Sequence, residues 1–269
     1  MNGPNTNDPD NKDSNAAENP VRRAAARLIG GEITDRANFP APSWLAALRR
    51  RASRWTLRAV GWRVQAMIPR EPRYVLIGAP HTTNWDLAIA LLMAGTLGLK
   101  LRWMGKASLF RQPFGFFMRW LGGIPVERKN RTGAVQRFAA LVERYPRFSL
   151  AIAPEGTRSD IPYWKTGFYH IALAACVPIA LGYCDYPSRV VGIGPTLHPS
   201  GDLIADFDHI VDFYDGKVGK IPDKQSAPAL SPTLLDALRQ ETVDFVGETE
   251  PDAASGSEAE GGDSKLSRA

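Results

Sequence analysis

The chain has 269 residues, 44% apolar and 23% charged, and carries 33 Lys and Arg against 28 Asp and Glu for a net charge of +5. That size and apolar content suit one sizeable α/β domain with a real core. The longest apolar run, residues 87–99, is thirteen long, short of the ~20 that a membrane-crossing helix needs, so it reads as a buried helix. No basic stretch followed by an apolar run stands at Met1, and a secretory signal is not expected.

Residues 1–20 are polar and rich in Asn, Asp and Pro; they bury too little apolar surface to offset the entropy of ordering and are expected to be disordered. Residues 21–70 form a basic segment. Eleven arginines from Arg22 to Arg70 face only Glu32 and Asp35, which suits an anionic partner, either nucleic acid or a membrane surface. Within it, residues 42–68 read as one amphipathic helix. At about 100° per residue, Leu45, Leu48, Ala52, Trp55, Ala59 and Trp62 share a stripe, with Arg50, Arg51, Arg54 and Arg58 opposite or beside it. Two readings stand: an interfacial helix on an anionic membrane, or a helix that buries its Trp stripe on the core and exposes its arginines. No nucleic-acid-binding motif is recognised, and nucleic acid is not an expected partner.

After Pro69 the period changes. Residues 74–78 read as a buried strand, and 84–99 as a helix with Thr83 or Asn84 as N-cap and Asp86 in its first turn. A strand at 101–104, an aromatic helical or irregular segment at 109–121 and a strand at 124–126 follow. Next come an amphipathic helix at 132–144, a strand at 148–153, a helix at 167–175, strands at 178–183 and 190–193, and a last helix at 232–246. Strands alternating with helices argue for an α/β layered fold. The domain is expected over residues 71–246. Residues 247–269 hold six acids between Glu248 and Asp263 among Gly, Ser and Ala and are expected to be a disordered acidic tail. Cys176 and Cys184 lie in an apolar stretch without metal-ligand spacing and read as reduced core thiols.

Three short blocks carry the chemistry. The first is His81-Thr82-Thr83-Asn84-Trp85-Asp86. Along a continuous helix His81 and Asp86 would diverge by about 140°, so they meet only if the residues between them form a turn, which Thr-Thr-Asn allows. Asp86 then fixes the imidazole tautomer and stabilises imidazolium, leaving the other ring nitrogen to take a proton from a substrate hydroxyl. Taken alone, the pair reads equally as a helix cap. The second block, Gly123-Ile124-Pro125-Val126-Glu127-Arg128, and the third, Ala153-Pro154-Glu155-Gly156-Thr157-Arg158, each end an apolar strand in acid and arginine. Ligands gather beyond the carboxyl ends of parallel strands, so Arg128 and Arg158 converge with His81 if the strands run parallel. Two guanidiniums suit a phosphate monoester; the bland alternative for each is a surface ion pair with the neighbouring Glu. Lys106 and Lys165 are phosphate candidates or solvated lysines. No G-x-S-x-G elbow is present, so direct attack by an acceptor hydroxyl fits better than a covalent intermediate. The rings of residues 109–121 either line an apolar tunnel or fill the core.

In this order the blocks resemble the glycerolipid acyltransferase family of lysophosphatidate acyltransferases, over roughly residues 70–185. The fourth block of that family has two prolines, where this chain has Val177-Pro178-Ile179-Ala180-Leu181-Gly182. The resemblance implies a glycerol-3-phosphate acyltransferase-like fold, with a layered mixed or mostly parallel sheet flanked by helices. It implies His81 and Asp86 as the catalytic pair. Arg128, Glu155, Gly156, Thr157, Arg158 and Lys106 would bind the substrate. The donor would be acyl-CoA or acyl-carrier protein, with no further cofactor and no metal, and the acceptor a lysophospholipid such as 1-acylglycerol-3-phosphate. The enzyme would work in the cytoplasm, peripherally on the inner face of the cell membrane. The same chemistry on another lipid or glycolipid, or a non-catalytic anionic-lipid-binding module, are the alternatives. An oriented base speaks against simple binding. His170, His198 and His209 lack metal-ligand spacing.

Overall fold

The computed structural model describes residues 43–126 and 133–248, with side chains as far as Gln240. Helix α1 (Ser43–Ala59) is followed by β1 (Arg63–Ala66), β2 (Arg73–Ala79), α2 (Asn84–Leu97) and β3 (Leu101–Lys106). A 3₁₀ turn (Ala107–Phe110) leads to α3 (Gly115–Trp120), β4 (Gly123–Val126), α4 (Ala134–Arg144) and β5 (Phe148–Ile152). Then come α5 (Gly167–Ala174), β6 (Ile179–Asp185), β7 (Val190–Leu197) and α6 (Leu203–Tyr214). A separate unit from Ser231 onward holds α7 (Pro232–Glu248).

The seven strands form one sheet in the order β1-β7-β6-β2-β5-β3-β4. Every pairing is parallel except that of β6 with β7. Central β2 reads as an unbroken apolar run because both of its faces are covered: Val75 and Ile77 are fully buried, with Tyr74, Leu76 and Ala79 nearly so. Parallel pairing sets the carboxyl ends of β2, β5, β3 and β4 side by side. The first and third sequence blocks follow the ends of β2 and β5, and Lys106 is the last residue of β3.

The helix at the basic end is shorter than the stripe suggested. It stops at Ala59; Gly61 turns the chain at φ +78°, and residues 63–66 become an edge strand paired with β7. Trp62, expected on the helical stripe, lies outside the helix and is buried at 8% exposure. The domain therefore starts before residue 71. What α1 buries is Ser53 and Leu57, and Ser53 seats against α2 at Gly95. A Cβ at residue 95 would lie 2.3 Å from the Ser53 hydroxyl oxygen, so only glycine permits this approach. Opposite that seam, Trp44, Leu45, Leu48 and Trp55 are exposed, Trp55 at 74%. The reading in which the Trp stripe fills the core is thus overturned.

Two further expectations change. Cys184 is buried but Cys176 is exposed, and both are free thiols. Of the rings in 109–121, Phe110 is in the core, while Phe114, Phe116, Phe117 and Trp120 are exposed and do not fill it. Helix α6, which the sequence reading did not assign, is capped by Asp202, whose carboxylate accepts from the backbone N–H of Ile204 and Ala205. No helix among the described residues is long and apolar enough to cross a membrane.

Candidate active site

β2 ends at Ala79, and α2 begins at Asn84, so residues 80–83 form a turn. Thr83 caps α2 in extended conformation (φ −144°, ψ 169°), and Asp86 at the third helical position completes a capping box. This turn folds the chain back, bringing His81 Nδ1 to 3.3 Å from Asp86 Oδ2. The divergence of a continuous helix is avoided as the sequence required. Asp86 is a crowded acceptor. Its Oδ2 also takes the backbone N–H of Thr82 (2.8 Å) and Thr83 (2.7 Å). Its Oδ1 takes the hydroxyls of Thr83 (3.0 Å) and Tyr186 (2.6 Å). Burial pushes the Asp86 pKa up, but the hydrogen bonds from His81, Tyr186 and Thr83 outweigh it and leave the carboxyl below its ordinary range. It is an anion beside the imidazole. Nε2 of His81 has no partner among the described residues, and the side chain is 26% exposed.

Glu155, expected among the substrate-binding residues, sits elsewhere. It is 0% exposed, and its Oε1 accepts the backbone N–H of His81 at 2.9 Å. Its Oε2 has no partner among the described residues. Burial raises the carboxyl to about 7, against the lowering effect of the His81 N–H bond and charge. A sealed carboxyl has no surface to offer a phosphate; what it does is hold the His81 backbone from behind.

Gly156, next along, adopts φ +66°. A Cβ there would meet Lys165 Nζ at 2.7 Å, so the lysine side chain lies directly over the glycine. The Lys165 backbone N–H donates to the Pro154 carbonyl at 2.9 Å, fixing that crossing. Thr157 is half-buried and Arg158 exposed. The Arg158 guanidinium donates to Asn84 Oδ1 and is thereby held at the first turn of α2, three residues from His81 in sequence. Lys106 is exposed at the carboxyl end of β3, and Arg128 lies outside the described residues. Tyr186, Lys220 and Ile221 were not signalled by any motif. Lys220 stacks its ammonium 5.4 Å from the ring centre of Trp85, which is 62% exposed beside Asn84. The loop that carries Lys220 braces the His81 turn, with the Ile221 N–H donating to Thr82 Oγ1 at 3.3 Å. No cluster of three or more metal-ligating side chains occurs among the described residues.

Buried Asp86 and part-exposed His81 thus pair beyond the carboxyl end of β2, with Lys106 at the end of β3 and Arg158 past the end of β5. Residues 61–187 match the family described as Acyltransferase; this match and the relatives that follow support a glycerolipid acyltransferase domain there. Among named relatives, the 1-acyl-sn-glycerol-3-phosphate acyltransferase of Salmonella typhimurium is 38% identical over 108 residues, 38% of this chain and 42% of the relative. That of Haemophilus influenzae is 33% identical over 136 residues, 46% of this chain and 55% of the relative. The chain thus spans about half the length of the curated relatives it matches. The crystal structure of the 1-acyl-sn-glycerophosphate acyltransferase from Thermotoga maritima aligns with a TM-score of 0.48 and 14% identity, over 71% of this chain and 87% of that one.

Proposed function

We propose that the protein moves a fatty acyl group from a thioester, acyl-CoA or acyl-carrier protein, to the free hydroxyl of 1-acylglycerol-3-phosphate. His81 Nε2 takes the hydroxyl proton as the oxygen attacks the thioester carbonyl carbon. The C–O bond forms, the C–S bond breaks, and the imidazolium returns its proton to the leaving sulfur. Asp86 holds the tautomer with Nδ1–H toward itself and stabilises the imidazolium between the two transfers. Arg158, Lys106 and Arg128 take the acceptor phosphate, with Gly156 and Thr157 shaping the floor. The observation that carries this reading is the 3.3 Å His81–Asp86 contact, which leaves Nε2 free on a partly exposed ring. The named relatives support the choice of acceptor.

The same reading places the work at an anionic membrane surface on the cytoplasmic side. Its support is the exposed Trp44/Leu48/Trp55 face of α1, flanked by Arg51, Arg54 and Arg58. Labelled acyl-CoA and acyl-carrier protein should each be offered with a panel of lysolipids. Transfer to 1-acylglycerol-3-phosphate, abolished in His81→Ala, is the expected result. Transfer that survives in His81→Ala, or that prefers an acceptor without a phosphate, refutes it.

A further inference from the structure

Tyr186 stands one residue past the end of β6, a hundred residues from Asp86, and belongs to none of the three sequence blocks. Its 2.6 Å bond is the shortest that Asp86 receives. One ring contact and two backbone bonds hold residue 186 in place. Trp62 meets it edge-on at 4.9 Å and 88°. The Tyr186 backbone N–H donates to the Val218 carbonyl at 3.0 Å, and its carbonyl accepts from Arg189 at 3.2 Å. A hydroxyl that only filled space would not need such fixing.

We propose that Tyr186 is a positioning residue of the acyl-transfer site, acting on His81 through Asp86; the inference rests on the function proposed above. Its hydroxyl occupies Oδ1 and so fixes the carboxylate rotation that turns Oδ2 toward His81 Nδ1. It also draws charge out of the carboxylate. A less basic carboxylate favours a neighbouring imidazolium less, so removing the phenol donor would tip the pair toward imidazolium. Burial and the adjoining carboxylate push the phenol far above its ordinary range, so it remains a donor throughout the working pH.

The other groups facing this pair are few. Buried Cys184 lies beside Asp86 with its thiol pushed up by burial. Glu155 holds the His81 N–H and itself titrates at about 7, with Asp160 and Asp86 among the charges acting on it. Because Glu155 also bends the acid limb of a pH profile, the test is run both in the native background and in Glu155→Gln.

Tyr186→Phe keeps the ring against Trp62 and the backbone bond to Val218, and deletes only the donor. With acyl-CoA and 1-acylglycerol-3-phosphate in mixed micelles, kcat should fall on the order of tenfold, the scale of one bond to a charged group. Both Michaelis constants should stay as they are. The acid limb of the kcat profile should move upward by about half a pH unit in both backgrounds. Replacing Tyr186 with 3-fluorotyrosine keeps the packing and strengthens the donor, and the limb should move the other way. An acid limb that stays in place in both variants overturns the proposal, as does a Tyr186→Phe defect confined to a Michaelis constant. His81→Ala run alongside separates the failures: if it abolishes transfer while the limb never moves, only the role of Tyr186 falls; if it retains transfer, the function itself falls.

Discussion

Glu155→Gln tests the buried carboxyl behind His81 through stability. Gln keeps an oxygen to accept the His81 N–H and removes the ionisable proton. The native carboxyl titrates at about 7, against 4.5 for an ordinary one, because burial disfavours its charge. A carboxyl raised in this way binds its proton more tightly folded than unfolded. Its contribution is therefore fully present below pH 4.5 and is lost as pH rises through about 7. At roughly 1.4 kcal/mol per pH unit, the span from about 4.5 to about 7 amounts to about 3 kcal/mol. Roughly three quarters of that falls between about pH 5 and pH 8, the window to measure. Urea unfolding of wild type and variant across this window gives two stability curves. Other titrating groups are common to both, so their difference isolates residue 155. Glu155→Gln should gain about 2–3 kcal/mol on wild type between the two ends. The gain is partly offset at every pH by a buried amide N–H₂ without a partner, a constant cost that leaves the slope untouched. A difference flat across the window refutes the sealed, neutral carboxyl. A raised acceptor Michaelis constant with unchanged turnover would return Glu155 to the ligand-binding residues.

Asp86→Asn places an amide where five hydrogen-bond donors converge and should lower turnover on the order of 10²-fold or more, read by kcat on folded protein. Arg158→Ala should weaken the acceptor by about 1.5–3 kcal/mol and leave the donor untouched, as separate Michaelis constants will report; a defect in the donor alone reassigns the arginine. Gly156→Ala combines φ +66° with a clash against Lys165 Nζ, and calorimetry should find it destabilised by about 1–3 kcal/mol. Reversing Arg51, Arg54 and Arg58 to Glu should abolish co-sedimentation with anionic vesicles at low salt, since each arginine near such a surface contributes about 1 kcal/mol; Trp44 and Trp55 changed to Ser should do so at any salt. Pelleting at the wild-type level would put attachment elsewhere, such as the exposed rings of α3.

Most elements of the sheet were legible because each is a short apolar run between glycines, prolines and charges; β2, β5 and β6 differ from expectation only at their ends. Strand β1 was not, since Arg-Val-Gln-Ala continues the helical stripe of α1 and only pairing with β7 makes it a strand. Helix α6 had a capping Asp202 and an apolar face that the strand–helix pattern of the domain did not demand. Within the site, the meeting of His81 and Asp86 followed from spacing and turn chemistry. The role of Glu155 did not, since a glutamate in a Glu-Gly-Thr-Arg block looks the same whether its carboxyl faces a ligand or the back of a histidine.

By itself the sequence determined the α/β class, the turn that joins His81 to Asp86 and the cations at the strand ends. These depend on residues close together in the chain, where periodicity, capping and turn preference act. Only the tertiary structure decided that Tyr186 reaches Asp86, that Trp62 braces Tyr186, that Glu155 is sealed and that the Trp face of α1 points outward. Each of those depends on which distant surfaces exclude water from one another, and local spacing carries no record of that.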